Sequence, residues 1–156
     1  MEKLPHLPIG QQYFASIRKD NGIYVDKTEY IYNLCAPLDR NYFLSRPRRF
    51  GKSLTLDVIN ELFNGNRALF EGLWIEDKWD WSQTHPVIRF SFDNIDRKSG
   101  LANALVKAAN KIAHTYDMTL DNTEPGGALN ELIEKLVEKT GRQVVILVDE
   151  YDKPIT

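Results

Sequence analysis

Five consecutive apolar residues, Val144-Val145-Ile146-Leu147-Val148, run straight into Asp149-Glu150. No other stretch restricts the fold as strongly. A β-branched run without polar alternation is the pattern of a strand buried on both faces of a parallel sheet. Parallel sheets belong to α/β architectures, and open α/β sheets bind their ligands at the carboxyl ends of the strands. The two carboxylates stand at that end. A core strand capped by two solvated acids has the same sequence, so the run alone leaves ligand site and cap as alternatives.

A second stretch narrows the choice. Residues 41–53 read Asn-Tyr-Phe-Leu-Ser-Arg-Pro-Arg-Arg-Phe-Gly-Lys-Ser. Tyr42-Phe43-Leu44 suggests a short buried strand and Arg46 to Arg49 a turn. Gly51-Lys52-Ser53 then opens an amphipathic helix over residues 52–63, with Leu56, Ile59, Leu62 and Phe63 on one stripe. Strand, loop and helix around Gly-Lys-Ser is the layout of a phosphate-binding loop, or Walker A motif. Helix N-terminal amides and the helix dipole favour phosphate there. The usual first glycine is replaced by Arg46, and a bare Gly-Lys-Ser also occurs as a cationic turn before an ordinary helix. The Asp-Glu strand, read as Walker B, supplies the complement: Asp149 for Mg²⁺ and Glu150 to deprotonate an attacking water.

With both motifs in this order, the chain resembles the predicted AAA-ATPase-like bacterial proteins, often joined to a C-terminal PD-(D/E)XK nuclease-like domain. Four strings carry the resemblance: Leu7-Pro8-Ile9-Gly10, Tyr24-Val25-Asp26-Lys27-Thr28, Phe43 to Ser53, and Val148-Asp149-Glu150-Tyr151-Asp152-Lys153-Pro154. The resemblance implies a P-loop NTPase of the additional-strand AAA-like class, a three-layer α/β/α fold on a parallel sheet. It implies residues 1–156 as the N-terminal part of one ATPase domain that stops after the Walker B strand. Residues 1–40 would form a lead-in beside the adenine, with Tyr24, Val25 and Asp26 as base-side candidates. Residues 41–156 would form an incomplete nucleotide-binding core, whose sensor and arginine residues lie beyond residue 156.

The expected cofactors are ATP and Mg²⁺. Backbone and side chains of Arg49, Phe50, Gly51, Lys52, Ser53 and Leu54 would hold the nucleotide, Ser53 and Asp149 the metal. Lys52 and Glu150 are the expected catalytic pair of a hydrolase. Two rival readings accompany this one. In the first, ATP is a conformational latch for an attached nuclease-like effector and is scarcely hydrolysed. In the second, Arg46, Arg48 and Arg49 contact nucleic acid directly.

Composition enters where it excludes. A formal net charge of −2 over 156 residues argues against a general polyanion-binding surface while leaving room for local basic patches, and nucleic acid is not indicated for this segment. One cysteine, Cys35, forms no internal disulfide and fits a small core position in a reducing, cytoplasmic setting. No apolar run reaches the ~20 residues of a membrane span, and no membrane partner is expected. Oligomeric state is left open.

The remaining elements follow periodicity. Residues 11–19 read as a helix carrying Tyr13, Phe14 and Ile17, residues 23–25 as a short strand, and residues 26–35 as a helix with Ile31, Leu34 and Cys35 inward. An aromatic connector with Trp74, Trp79 and Trp81 is expected to pack on the sheet edge. Residues 87–92 read as the second strand, with Asp93 and Asp96 beyond it as caps or outer contacts to Mg²⁺. Residues 99–116 read as a helix with Leu101, Leu105, Ala108, Ile112 and Tyr116 inward. Pro125-Gly126-Gly127 reads as a turn, residues 128–139 as a helix ended by Thr140-Gly141.

Overall fold

The structure is a computed structural model, and it describes residues 4–38, 40–47, 50–94 and 100–151. It is mixed α/β and divides into two compact units, Met1–Thr84 and His85–Thr156.

The first unit is helical. Helix α1 (Phe14–Lys19) turns Phe14 and Ile17 inward. Phe14 meets Tyr24 and Phe70 with ring centroids 5.0 Å away in each case. Its amide donates to Asp57 Oδ2 at 2.7 Å, which gives a buried carboxylate on a later helix a partner. Helix α2 (Thr28–Cys35) follows. Asp26 Oδ1 accepts from the Thr28 amide and hydroxyl at 2.9 and 2.6 Å. Asp26 Oδ2 accepts from the Trp74 amide at 2.7 Å, and Thr28 Oγ1 from the Ile75 amide at 3.2 Å. Asp26 and Thr28 therefore start a helix and clamp the aromatic connector to it.

Helix α3 (Lys52–Phe63) has the limits its periodicity predicts, with Asp57, Val58, Ile59, Leu62 and Phe63 buried. Gly65 closes it at φ +74°. The Gly65 amide reaches Leu62 O and the Asn66 amide reaches Glu61 O, both at 3.1 Å. This pair of bonds is a left-handed cap. The connector that follows packs on helices: Trp74 and Trp79 on Tyr32 of α2 at 5.6 and 6.2 Å, and Trp79 on Phe63 of α3 at 5.5 Å. The ring contacts described for it are thus helical.

Two expected strands of this unit do not form. Residues 40–47 carry no regular secondary structure, and Tyr42 and Phe43 are exposed. Residues 23–25 likewise carry none; beside them His6 and Gly22 make a single bridge. A strand is stabilised by its ladder, and among the described residues of this unit no partner strand exists.

The second unit holds the sheet. Strand β1 (Val87–Ser91) pairs in parallel with β2 (Val145–Asp149), from Val87 opposite Val145 to Ser91 opposite Asp149. The crossover contains α4 (Gly100–Thr115) and α5 (Pro125–Thr140). Ile88 and Phe90 of β1 share a core with Ala109 and Ala113 of α4 and with Ala128, Leu132 and Leu136 of α5. Alanines on α4 let the α5 leucines approach closely, so they lie deeper than Leu105, Ala108 and Ile112, while Leu101 is exposed.

Helix α5 begins earlier than its pattern suggests. Pro125 is its first residue, and Gly126 and Gly127 are helical. Proline is pre-organised at this position, where its missing amide costs nothing. Phe92 leaves β1 for a 3₁₀ turn, Phe92–Asn94. Strand β2 is buried on alternate residues instead of both faces: Leu147 and Asp149 are buried, Ile146 and Val148 more than 40% exposed. Among the described residues the sheet has two strands, so the outer edge of β2 has no third strand to cover it.

Candidate functional site

The Gly-Lys-Ser stretch is built from the helix side. Gly51 sits at φ +76° and ψ 22° and caps α3. A Cβ there would meet nothing within 4 Å, so the backbone angle, not lack of space, calls for glycine. The α3 ladder starts with Thr55, whose amide and hydroxyl both reach Gly51 O at 2.9 Å. The amides of Lys52, Ser53 and Leu54 precede that first bond, and the N-cap residue, a glycine, has no side chain to cap them. They are orphan donors at the positive end of the helix dipole.

The first turn of α3 carries no acidic residue, and its first position is Lys52. A cation there opposes the dipole by about 0.3–1 kcal/mol. Helix stability alone selects against this arrangement; an anion in front of the turn reverses the sign. Ahead of it, the Phe50 amide reaches Pro47 O at 3.3 Å and Arg46 Nη1 reaches Phe50 O at 3.4 Å. Arg46, where the usual motif has its first glycine, thus ties to a carbonyl of its own loop. Arg48 and Arg49 lie outside the described residues, as do Asp96, Asp152 and Lys153.

At the tip of β2, Asp149 is 6% exposed. Its Oδ1 accepts from the Glu150 amide at 2.9 Å. Glu150 is half-buried and holds φ +52°, a conformation that costs a non-glycine residue about 1–2 kcal/mol. Such strain persists where the surroundings or a function over-determine it. Ser91 of β1 stands in register with Asp149, and Asp93 follows in the 3₁₀ turn. The structure therefore gathers Lys52, Ser53 and Leu54 at one helix start, and Asp149 and Glu150 at one strand end.

Two of the three base-side candidates, Tyr24 and Asp26, make structural contacts. Burial, then the Asp26 charge, pushes the Tyr24 hydroxyl up to about 12. For Asp26, burial raises the pKa, but hydrogen bonds from Thr28 and Trp74 outweigh it and the carboxyl titrates below its ordinary value. Val25 is exposed. Cys35 is buried, and burial pushes its thiol up to about 12, the opposite of an activated nucleophile. Among the described residues no group of three His, Cys, Asp or Glu side chains is placed to hold a metal, and no helix is long and apolar enough to cross a membrane. Sequence reading missed the clamps at Asp26, Thr28 and Asp57, whose partners lie 43–48 residues away.

Residues 8–156 match the family described as Predicted AAA-ATPase. The chain belongs to that family. Among curated proteins it is 45% identical over 152 residues to an "Uncharacterized protein in vnfD 5'region" of Azotobacter chroococcum mcd 1, covering 96% of this chain. The chain spans 29% of the length of that relative. No solved structure gives a significant match.

Proposed function

We propose that this chain is the N-terminal part of an ATP-binding P-loop domain of the additional-strand AAA-like class, with a three-layer α/β/α fold and Mg²⁺-dependent hydrolysis in the full-length protein. One observation carries the reading. Helix α3 opens on a left-handed Gly51 with three amides that its N-cap residue does not cap, no first-turn acid and Lys52 at its positive end. That donor set fits a phosphate chain. The parallel sheet supports it, since Asp149 ends β2 and Glu150 follows it where open α/β sheets place ligands. The partner of β2 is β1, in keeping with a class that separates the Asp-Glu strand from the phosphate-loop strand.

In this reading the amides of residues 49–54 hold phosphate oxygens. Lys52 Nζ offsets γ-phosphate charge. Ser53 Oγ and the Asp149 carboxylate hold Mg²⁺, which when bound neutralises charge developing on the phosphates. Glu150 orients the attacking water and takes its proton. A nuclease-like domain further along the full-length chain and a cytoplasmic setting belong to the same proposal. The test is titration of the full-length protein with Mg-ATP against Lys52→Ala. The variant should bind about 10–100-fold more weakly, as loss of one charge-assisted phosphate contact requires. Equal binding by both removes the phosphate-loop reading.

A further inference from the structure

Across β2 the chain runs from base to acid. Arg142-Gln143 precede the apolar residues Val144 to Val148, and Asp149-Glu150 follow them. The backbone adds a direction. The Val145 amide donates to Pro86 O at 2.9 Å, and Gln143 O accepts from His85 Nδ1 at 3.0 Å. Odd-numbered residues therefore turn their main-chain groups toward β1. Because these groups alternate along a strand, the amides and carbonyls of Val144, Ile146 and Val148 point away from it. Among the described residues no strand receives them. In register, Ile146 stands beside Ile88 and Val148 beside Phe90. Ile88 and Phe90 share the core with α4 and α5, whereas Ile146 and Val148 are 44% and 43% exposed.

We propose that in this chain the outer edge of β2 pairs antiparallel with the same edge of a second copy, centred on Ile146. On that centre Ile146 faces its twin, and Val144 faces Val148 of the other copy. All three positions turn their main-chain groups outward. Each facing pair can then exchange both of its bonds, as the hydrogen-bonded pairs of an antiparallel ladder do, about six bonds in all. The same register sets Gln143 against Asp149 and Arg142 against Glu150 at both ends, so opposite charges meet. Parallel self-pairing would instead set Asp149 and Glu150 beside their own twins. A slip of two residues loses a bonded pair and parts Arg142 from Glu150. This match of charge and register selects a second copy over an unrelated extended peptide, which the edge bonds alone would accept equally well. Val144 to Val148 contains no charge or proline to blunt the edge, and such edges template another chain. Self-pairing does not depend on nucleotide. The class proposed above sets a further strand on this edge in the full-length protein, where the two occupants compete.

The test is sedimentation equilibrium of this chain at low salt, over roughly 1 μM to 1 mM, the range suited to a small interface. The wild type should pass from monomer to dimer. Ile146→Pro removes the central outward amide, a position where proline spares the β1 ladder, and should raise the dissociation constant about tenfold or more. Arg142→Glu and Glu150→Arg should each weaken the dimer several-fold, on the order expected of exposed ion pairs. An equimolar mixture of those two variants should associate more tightly than either alone, since opposite charges meet again at both ends. Damage to either fold cannot produce that gain. A wild type that stays monomeric to the top of the range overturns the proposal and leaves the edge to a segment of another protein. So does a dimer that Ile146→Pro leaves at full strength, or a mixture no tighter than its components.

Discussion

The start of α3 and the end of β2 solve the same backbone problem with different residues. Each motif turns through a left-handed position, Gly51 at φ +76° and Glu150 at φ +52°. At Gly51 the turn costs nothing beyond chain entropy, and the open space around it shows that geometry alone selects glycine. At Glu150 a side chain is retained where glycine would relax the backbone. In the proposed reading, the contrast means that the helix start works through its main chain, whereas the strand end works through a carboxylate worth a local strain.

That contrast can be broken in order of effect. Glu150→Gln keeps the backbone and removes only the base. Phosphate release by the full-length protein should fall by about 10²–10⁴-fold while Mg-ATP affinity holds; unchanged turnover favours the latch reading. Gly51→Ala keeps the chemistry and strains the backbone. It should cost about 1–2 kcal/mol in denaturant unfolding and weaken ATP, and a neutral result would contradict the main-chain role. Glu150→Gly is the reverse experiment. Relief of strain should raise the thermal midpoint by about 2–4 °C even as hydrolysis is lost; a lower midpoint would mean the Glu150 side chain stabilises the fold.

The smallest effect lies where Glu131 of α5 holds the connector before that helix, and it serves as a control on both tips. Hydrogen bonds from Lys135, then from the Asp121 and Asn122 amides, lower Glu131 from 4.5 to about 2. A depressed carboxylate stabilises the fold above its unfolded pKa, and that contribution is lost as pH falls from about 4.5 toward 2. Glu131→Gln should flatten the acid limb of a thermal-melt series in that window and leave ATP binding alone. An identical limb in both proteins removes Glu131 from the account.

How much of this was legible in sequence depended on how local the cause was. The limits of α3 and the Gly141 stop follow from residues in place, and they stand as read. The start of α5 was misread because Pro125-Gly126-Gly127 has turn composition, while proline at the first helical position is equally favourable. Burial on β2 was over-read: an unbroken apolar run marks what a strand can bury, and among the described residues nothing packs fully over Ile146 and Val148. Tyr42 to Leu44 failed for the same non-local reason. The Asp26, Thr28 and Asp57 clamps were invisible because capping composition does not reveal a partner more than forty residues away. At the candidate site, the Gly51 conformation was readable from its motif, whereas the strain at Glu150 had no sequence signal.

The proposed function has the two tips act on one metal-nucleotide. A double-mutant cycle of Mg-ATP affinity over Ser53→Ala and Asp149→Asn in the full-length protein tests it most directly. Two ligands of one ion should show a coupling energy of about 0.5–3 kcal/mol. Strict additivity, with each substitution weakening ATP independently of the other, would contradict the account.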